Sequence, residues 1–185
     1  NPFLALKVKL DGGTIHVQSN LVGDYNAENL LAAITVGRYF GVEVADIKCA
    51  IEAYNPTNNR SQFLKTDKNT VIMDAYNANP SSMDAAIRNF ASLKSFNKKV
   101  IIGEMLELGE YSYCEHKKIV EILASLGFQD VFLVGDGFRG VHDKFLFFSN
   151  SDECLDYIKS HPLNNCTILL KGSRGVRLEK LMELL

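Results

Sequence analysis

The sequence predicts an α/β fold in which a mainly parallel sheet carries helices on both faces. From residue 71 onward, short apolar runs alternate with longer segments in which apolar residues recur every three or four positions. This is the pattern of strands alternating with helices. The runs Val100-Ile-Ile102 and Val131-Phe-Leu-Val134 lack polar alternation, which is typical of strands covered on both sides. A smaller α+β unit is predicted to precede this region.

The predicted α+β unit comprises residues 1–58. Strands at 3–9 and 14–18 flank Asp11-Gly12-Gly13, a strong hairpin signal. A first helix runs from residue 26 or 27 to 40 and stops at Gly41, and a second runs from Val44 to the residues before Pro56. The polar segment 55–60 then separates the two parts of the chain. The residues predicted to face inward from the first helix are Leu30, Ala33, Ile34, Gly37 and Phe40.

Residues 59–185 are predicted to form the parallel-sheet domain. Strand signals lie at 71–74, 98–102, 130–134, 145–148 and 166–170, and helix signals at 80–94, 112–126, 151–160 and 175–185. Asn79 is suited to cap the helix that starts at Pro80. The buried stripe of that helix is predicted to be Met83, Ala86, Ile87, Phe90 and Leu93.

Composition excludes several classes of protein. With 46% hydrophobic and 23% charged residues and a net charge of −2, the chain has no global attraction for nucleic acid or an acidic membrane. No apolar run approaches the ~18 residues of a membrane span. The four cysteines are scattered without a C-x-x-C pair, so neither a disulfide framework nor a zinc site is predicted. A monomer in a reducing cytoplasm is expected.

Five polar blocks point to a function. The sequence Asp74-Ala-Tyr-Asn-Ala-Asn-Pro-Ser-Ser-Met83 lies where a strand ends and a helix begins, and open α/β sheets bind ligands at such points. The others are Leu21-Val-Gly-Asp-Tyr-Asn-Ala-Glu-Asn29, Asn59-Arg-Ser61, Gly103-Glu-Met-Leu-Glu-Leu-Gly-Glu110 followed by His116, and Lys171-Gly-Ser-Arg174. Taken in their order along the chain, the five blocks resemble the signatures of the Mur ligase family, in particular its dipeptide-adding branch.

The resemblance implies a fold and a reaction. Residues 1–58 would be the end of the family's central ATPase domain, and residues 59–185 its Rossmann-like carboxyl-terminal domain. The reaction would join D-alanyl-D-alanine to UDP-N-acetylmuramoyl-tripeptide through an acyl phosphate, using ATP and Mg²⁺. The chain contains no G-x-x-x-x-G-K-[ST] loop. The main phosphate and metal ligands are therefore expected in an upstream part, no metal ligand or catalytic residue is predicted here, and the chain alone should be inactive.

Four residues match the family's nucleotide contacts. The resemblance implies that Asn26 and Asn29 face the adenine, that Arg60 contacts the phosphates and that Asp74 contacts the ribose hydroxyls. Each residue type suits its role, since an amide both donates and accepts hydrogen bonds and a guanidinium binds phosphate oxygens in pairs. Alternatively, Asn26 caps a helix, Arg60 is solvated and Asp74 caps a neighbouring turn.

Six residues are predicted to meet the dipeptide. The resemblance implies that Tyr76, Asn77 and Asn79 line its pocket. A loop that opens a helix with free backbone N–H groups is an anion site, so the residues of the Lys171–Gly175 loop are candidates for the dipeptide carboxylate. The alternatives are a helix cap at Asn79 and an exposed glycine-rich turn at 171–175. The three candidates in this loop are Lys171, Ser173 and Arg174.

The block after the strand at 98–102 supplies three further candidates. Glu104 and Glu107 could steady an ammonium group or orient the loop, and His116 could be a dipeptide-site or an interdomain residue. Alternatively, Glu107 is exposed at a helix start and His116 is structural, as a lone histidine on a helix usually is.

Other functions remain open at this point. Gly135-Asp-Gly-Phe-Arg-Gly140 fits the G-x-G-x-x-G pattern of dinucleotide-binding oxidoreductases. That pattern requires a helix that begins within the glycines, yet the apolar run 145–148 follows after only four residues. The remaining alternatives are a sister ligase that adds a single amino acid, including the folylpolyglutamate type, and a non-catalytic α/β binding module.

Overall fold

A computed structural model describes residues 2–142 and 144–185. It divides the chain into two compact units, Asn1–Thr57 and Asn58–Leu185. Asp143, one of the four residues predicted to separate the glycine motif from the next strand, lies outside the described residues.

The first unit is a hairpin followed by two helices. Strands β1 (Phe3–Leu10) and β2 (Gly13–Val22) pair antiparallel around the turn at 11–12. A 3₁₀ turn (Asp24–Asn26) leads into α1 (Ala27–Tyr39), and α2 (Val44–Ala53) follows. Eight buried apolar residues from both strands and both helices form the core of this unit: Leu4, Val8, Val17, Leu21, Leu30, Ile34, Ile47 and Ile51.

The buried face of α1 is narrower than predicted. Leu30 and Ile34 are buried, but the prediction for Phe40 is wrong, since its side chain is 75% exposed. The helix ends at Tyr39, so Phe40 leaves the helical face and its ring instead contacts the ring of Tyr39 edge-on at 5.1 Å. Gly37 faces the second helix, where an added Cβ would lie 3.0 Å from the Ile47 side chain. A glycine here lets α1 and α2 approach closely.

The second unit confirms the predicted α/β class. Its six strands run in the order β3-β4-β8-β5-β6-β7, and all neighbours pair parallel except the antiparallel edge strand β3. The strands are β3 (Gln62–Lys65), β4 (Thr70–Asp74), β5 (Lys98–Gly103), β6 (Val131–Val134), β7 (Leu146–Phe148) and β8 (Thr167–Lys171). The helices are α3 (Pro80–Ser92), α4 (Ser112–Ser125) and α5 (Ser151–Ser160).

The sheet forms the core of this unit. Val71, Met73, Ile101, Ile168 and Leu170 from the three neighbouring strands β4, β5 and β8 are at most 1% exposed. These strands read as continuous apolar runs because helices cover both of their faces. No helix within residues 2–142 and 144–185 is long and apolar enough to cross a membrane. All four cysteines are free thiols.

Two predictions for the second unit need correction. Strand β3 was missed because its four residues are only half-buried or exposed and form an edge strand. The predicted helix 175–185 is instead two 3₁₀ segments, Arg174–Val176 and Leu178–Glu183, separated by the left-handed Arg177 (φ 59°). Leu178 and Leu181 are fully buried, and their spacing of three suits the three residues per turn of a 3₁₀ helix.

Candidate substrate site at the carboxyl edge of the sheet

The loops after three strands meet at one edge of the sheet. Strand β8 lies between β4 and β5, and all three are parallel, so the loops that follow Asp74, Gly103 and Lys171 lie side by side. Gly103 and Gly172 touch, since a Cβ added to Gly172 would lie 2.8 Å from the Cα of Gly103. This edge is where open α/β sheets bind ligands.

Lys171 ties the ends of β4 and β8 together. Its Nζ lies 3.1 Å from Oδ2 of Asp74 and donates to the carbonyl oxygen of Asn77 at 2.7 Å. The lysine side chain is only 2% exposed and that of Asp74 13%. The ammonium group of Lys171 is thus buried and engaged with protein oxygens, and its contact with a substrate carboxylate stays a prediction.

Asp74 also positions the segment that carries Arg60. Its Oδ1 accepts a hydrogen bond from the backbone N–H of Ser61 at 3.1 Å. Asn58, Asn59 and Ser61 have φ angles of 59°, 58° and 47°, so the segment adopts an unusual left-handed path for non-glycine residues. A carboxylate has about four acceptor positions, so Asp74 can also accept from the hydroxyls of a sugar.

Tyr76 brings two arginines together. The guanidinium carbon of Arg60 lies 3.8 Å from the centroid of the tyrosine ring, and that of Arg174 lies 5.5 Å from it. Within residues 2–142 and 144–185, no carboxylate forms an ion pair with either guanidinium within 4.0 Å. The two charges make this part of the edge attractive to an anion.

Ser173 links the last of these loops to the 103–107 loop. The serine N–H donates to the carbonyl of Glu104 at 3.2 Å, and the N–H of Leu106 donates to the serine Oγ at 3.0 Å. Ser173 is 4% exposed. Its two hydrogen bonds hold the loop after β5 against the loop after β8. The anion site predicted at a helix start is not formed by an α-helix, because a 3₁₀ turn follows Ser173.

His116 is hydrogen-bonded to the 103–107 loop and has no exposed surface. Its Nε2 accepts from the N–H of Met105 at 2.9 Å, and its Nδ1 lies 2.7 Å from the carbonyl oxygen of Ser112. This geometry assigns the proton of the neutral ring to Nδ1. Burial lowers the pKa of His116 from its ordinary value of 6.5, although the Ser112 carbonyl and the charges of Glu104 and Glu115 act in the opposite direction. In this structure the ring of His116 is engaged with the protein on both nitrogens, as the structural alternative expects, and its contact with the dipeptide stays a prediction.

The side chain of Glu104 packs against the glycine motif at 135–140. Oε2 of Glu104 accepts the N–H of Gly137 at 2.7 Å, and a Cβ on Gly137 would lie 2.5 Å from Cε1 of His116. A Cβ on Gly135 would lie 2.6 Å from Cδ of Glu104. The motif opens a 3₁₀ turn, Asp136–Phe138, and no α-helix. The absence of a Cβ at Gly135 and Gly137 leaves room for the side chains of Glu104 and His116, and the carboxylate of Glu104 holds this turn through the Gly137 N–H.

Three other predicted residues lie on the surface of this edge. Asn79 is the cap of α3: its Oδ1 accepts the N–H of Ser82 at 2.8 Å, while its own N–H donates to the serine hydroxyl. Asn77 is exposed, and its Oδ1 accepts the N–H of Ala78 at 2.8 Å. Glu107 is exposed and left-handed, with a φ of 66°. Asn77 and Glu107 are thus accessible to a ligand.

The two predicted adenine contacts belong to the first unit. Asn26 is 6% exposed, and its Nδ2 donates to the carbonyl of Val22 at 2.8 Å. Its Oδ1 accepts from Nδ2 of Asn29 at 3.1 Å. Asn26 therefore orients Asn29, which is exposed. The side-chain cap predicted as the alternative for Asn26 is not formed.

Comparison with known proteins decides the family. A model described as "Mur ligase, glutamate ligase domain" matches residues 59–174, which is more than half of the chain. The chain belongs to the Mur ligase family. The match spans the site at the edge of the sheet, from Arg60 to Arg174.

Two curated Mur ligases illustrate the similarity. The UDP-N-acetylmuramoyl-tripeptide--D-alanyl-D-alanine ligase of Bacillus subtilis is 31% identical over 174 residues, covering 88% of this chain and 38% of that protein. The protein of the same name from Buchnera aphidicola subsp. Baizongia pistaciae is 33% identical over 183 residues, covering 96% of this chain and 40% of that protein. The chain thus spans about two fifths of the length of these relatives.

Solved Mur ligases share the fold. MurF from Acinetobacter baumannii superposes with a TM-score of 0.85 at 27% identity, covering 98% of this chain and 42% of that structure. MurF from Thermotoga maritima, solved with ADP, superposes with a TM-score of 0.82 at 20% identity, covering all of this chain and 43% of that structure. The second likeness concerns the fold alone.

Sequence reasoning missed two contributors to this candidate site. The backbone N–H of Ser61 supports Asp74, but a backbone donor leaves no trace in residue type. Gly137 is part of the glycine motif, and a glycine at this position could have indicated close packing by another side chain. Within residues 2–142 and 144–185, no group of three or more His, Cys, Asp or Glu side chains could hold a metal ion.

Proposed function

We propose that this chain is the carboxyl-terminal part of an ATP-dependent ligase that joins D-alanyl-D-alanine to UDP-N-acetylmuramoyl-tripeptide in peptidoglycan precursor synthesis in the cytoplasm. The observation that carries the proposal is the convergence of Arg60, Tyr76 and Arg174 at the carboxyl edge of the sheet. Two guanidinium groups without a carboxylate partner among the described residues suit a reaction whose substrates carry phosphate and carboxylate groups. The names of the relatives and the dipeptide-type blocks support the choice of substrate.

The proposed reaction forms an amide through an activated acid. ATP phosphorylates the terminal carboxylate of the tripeptide, the dipeptide amine attacks the acyl carbon, the bond to the phosphate oxygen breaks, and phosphate leaves as the amine loses a proton. No covalent bond to the enzyme is required. Alignment and charge neutralisation account for the rate, since they lower the barrier without a protein nucleophile.

The residues of this chain would bind and orient. Asn29, held by Asn26, offers an exposed amide for the adenine edge, and Asp74 offers acceptors to ribose hydroxyls. Arg60 would bind nucleotide phosphates, and Arg174 would bind the dipeptide carboxylate. Bound Mg²⁺ would neutralise phosphate charge, and the described residues offer no carboxylate cluster for it. Its ligands, like the phosphate loop, are expected in the remainder of the ligase.

Asn77 would complete the dipeptide side. Asn77 is exposed next to Tyr76, and its Nδ2 can donate to a peptide oxygen. Ala75 and Ala78 are buried beneath the turn, at 1% and 4% exposure, and keep it compact.

The test is acceptor-dependent turnover by the complete ligase. ATP hydrolysis and amide formation are measured with D-alanyl-D-alanine, with single amino acids and with no acceptor. We expect product only with the dipeptide. Product with a single amino acid would establish a sister ligase instead, and turnover that no acceptor changes would favour a binding module.

A variant pair locates the activity. Arg174→Ala should raise the KM for the dipeptide, because it removes a proposed carboxylate contact. Arg88→Ala is the matched control, since this exposed arginine pairs with Asp84 on α3 at 2.7 Å and lies outside the site. Equal effects of both changes would contradict the proposed position of the dipeptide.

A further inference from the structure

The ring of Tyr76 contacts two arginines that come from different loops. Arg60 belongs to the segment before β3, and Arg174 follows β8, more than a hundred residues later in the chain. Tyr76 itself lies in the turn after β4. A single aromatic ring therefore joins three separate parts of the unit.

The side chain of Lys171 fixes the turn that carries Tyr76. Nζ of the buried Lys171 donates to the carbonyl oxygens of Asp74 and Asn77, at 3.4 and 2.7 Å, on either side of the tyrosine. The same ammonium group forms an ion pair with Oδ2 of Asp74. These contacts of Lys171 hold the turn, and with it the backbone of Tyr76, in one position.

The ring supplies the attraction that the two guanidinium groups need. Two like charges repel each other, and no carboxylate among residues 2–142 and 144–185 forms an ion pair with either one. An aromatic face is negative and attracts a guanidinium by about 0.5–1 kcal/mol when exposed. Because both groups contact the same ring, the ring also sets their separation.

We propose that Tyr76 is a positioning residue that holds Arg60 and Arg174 in a fixed relation to each other. This rests on the proposed function, in which one arginine binds nucleotide phosphates and the other the dipeptide carboxylate. Loss of the ring would then weaken the use of both substrates. A tyrosine that only lined the dipeptide pocket would affect the dipeptide alone.

The kinetic test uses the complete ligase with leucine or phenylalanine at position 76. Tyr76→Leu should raise the KM for ATP and the KM for D-alanyl-D-alanine, each by roughly two- to fivefold, which corresponds to the loss of one exposed cation–π contact. Tyr76→Phe should restore both, because the ring remains. Arg60→Lys should raise only the KM for ATP and Arg174→Lys only that for the dipeptide. Tyr113→Leu, at an exposed tyrosine of α4, is the control.

Two results would overturn the proposal. If Tyr76→Leu raises only one KM, the ring does not couple the arginines. If Tyr76→Phe is as impaired as Tyr76→Leu, the hydroxyl group, and not the ring, carries the effect.

A second measurement separates this proposal from the proposed function. In the 185-residue chain, the ring current of Tyr76 should shift the Nε–H proton signals of Arg60 and Arg174 in NMR spectra, and Tyr76→Leu should remove both shifts while leaving Arg88 unchanged. Absence of turnover in the complete wild-type ligase would refute the function, whereas absence of these shifts in the wild-type chain would refute the positioning role.

Discussion

Replacement of Lys171 by methionine should strongly destabilise the second unit. The change keeps the length and apolar stem of the side chain but removes the ammonium group that contacts Asp74 and Asn77. The carboxylate of Asp74 is then left with 13% exposure and one hydrogen bond, from the Ser61 N–H. Breaking a buried ion pair costs about 3–5 kcal/mol. Because Asp74 keeps one donor and some contact with water, we expect a value near the lower end, about 3 kcal/mol.

The assay is urea unfolding followed by circular dichroism, together with hydrogen exchange of the Leu169 amide in β8. Lys159→Met is the matched control, since Lys159 pairs with Asp156 at 2.8 Å but the two side chains are 54% and 74% exposed. That control should lose at most about 0.5 kcal/mol. The double variant Lys171→Met/Asp74→Asn should recover part of the loss, because no buried charge is stranded.

The reasoning would be refuted by a loss below about 1 kcal/mol for Lys171→Met, which is the range of an exposed pair. It would also be refuted if the double variant lost the full sum of the two single changes. Additive losses would mean that the two charged groups do not stabilise each other in the folded state.

Two further predictions concern the support of the 103–107 loop. Burial lowers the pKa of His116 in the folded chain below 6.5, so the unfolded state binds more protons than the folded state. The stability that the neutral ring contributes is therefore complete above pH 6.5. It declines as the pH falls toward the folded pKa. The free energy of unfolding measured from pH 8 to pH 5 should show this decline, His116→Gln should flatten it, and the exposed His161→Gln should not. Gly137→Ala should cost about 1–3 kcal/mol, because its Cβ would lie 2.5 Å from the His116 ring, whereas Gly12→Ala meets no atom within 4 Å; equal thermal unfolding of these two variants would contradict the clash.

The sequence determined the fold class of the second unit and most of its elements, but not the edge strand β3 or the final segment. Apolar runs and helical spacing are local properties, so the strands around Val71, Val100 and Val131 and the helix beginning at Pro80 could be predicted within a few residues. The cap at Asn79 could be predicted for the same reason. The final segment could not, because apolar residues three apart suit either an α-helix or a 3₁₀ helix, and the left-handed Arg177 decides between them.

Only the tertiary structure decided which candidate residues meet and which of them are buried. The residue types at positions 74, 76, 171 and 174 marked a ligand edge, but the insertion of β8 between β4 and β5 is what places Lys171 against a turn 94 residues away in sequence. The same insertion brings Arg174 to the ring of Tyr76. His116 and Lys171 are buried, and their polar groups are hydrogen-bonded inside the protein. Arg60 and Arg174 are exposed, and their charges face solvent. Strand order and burial arise from contacts between distant residues, so no local pattern in the sequence encodes them.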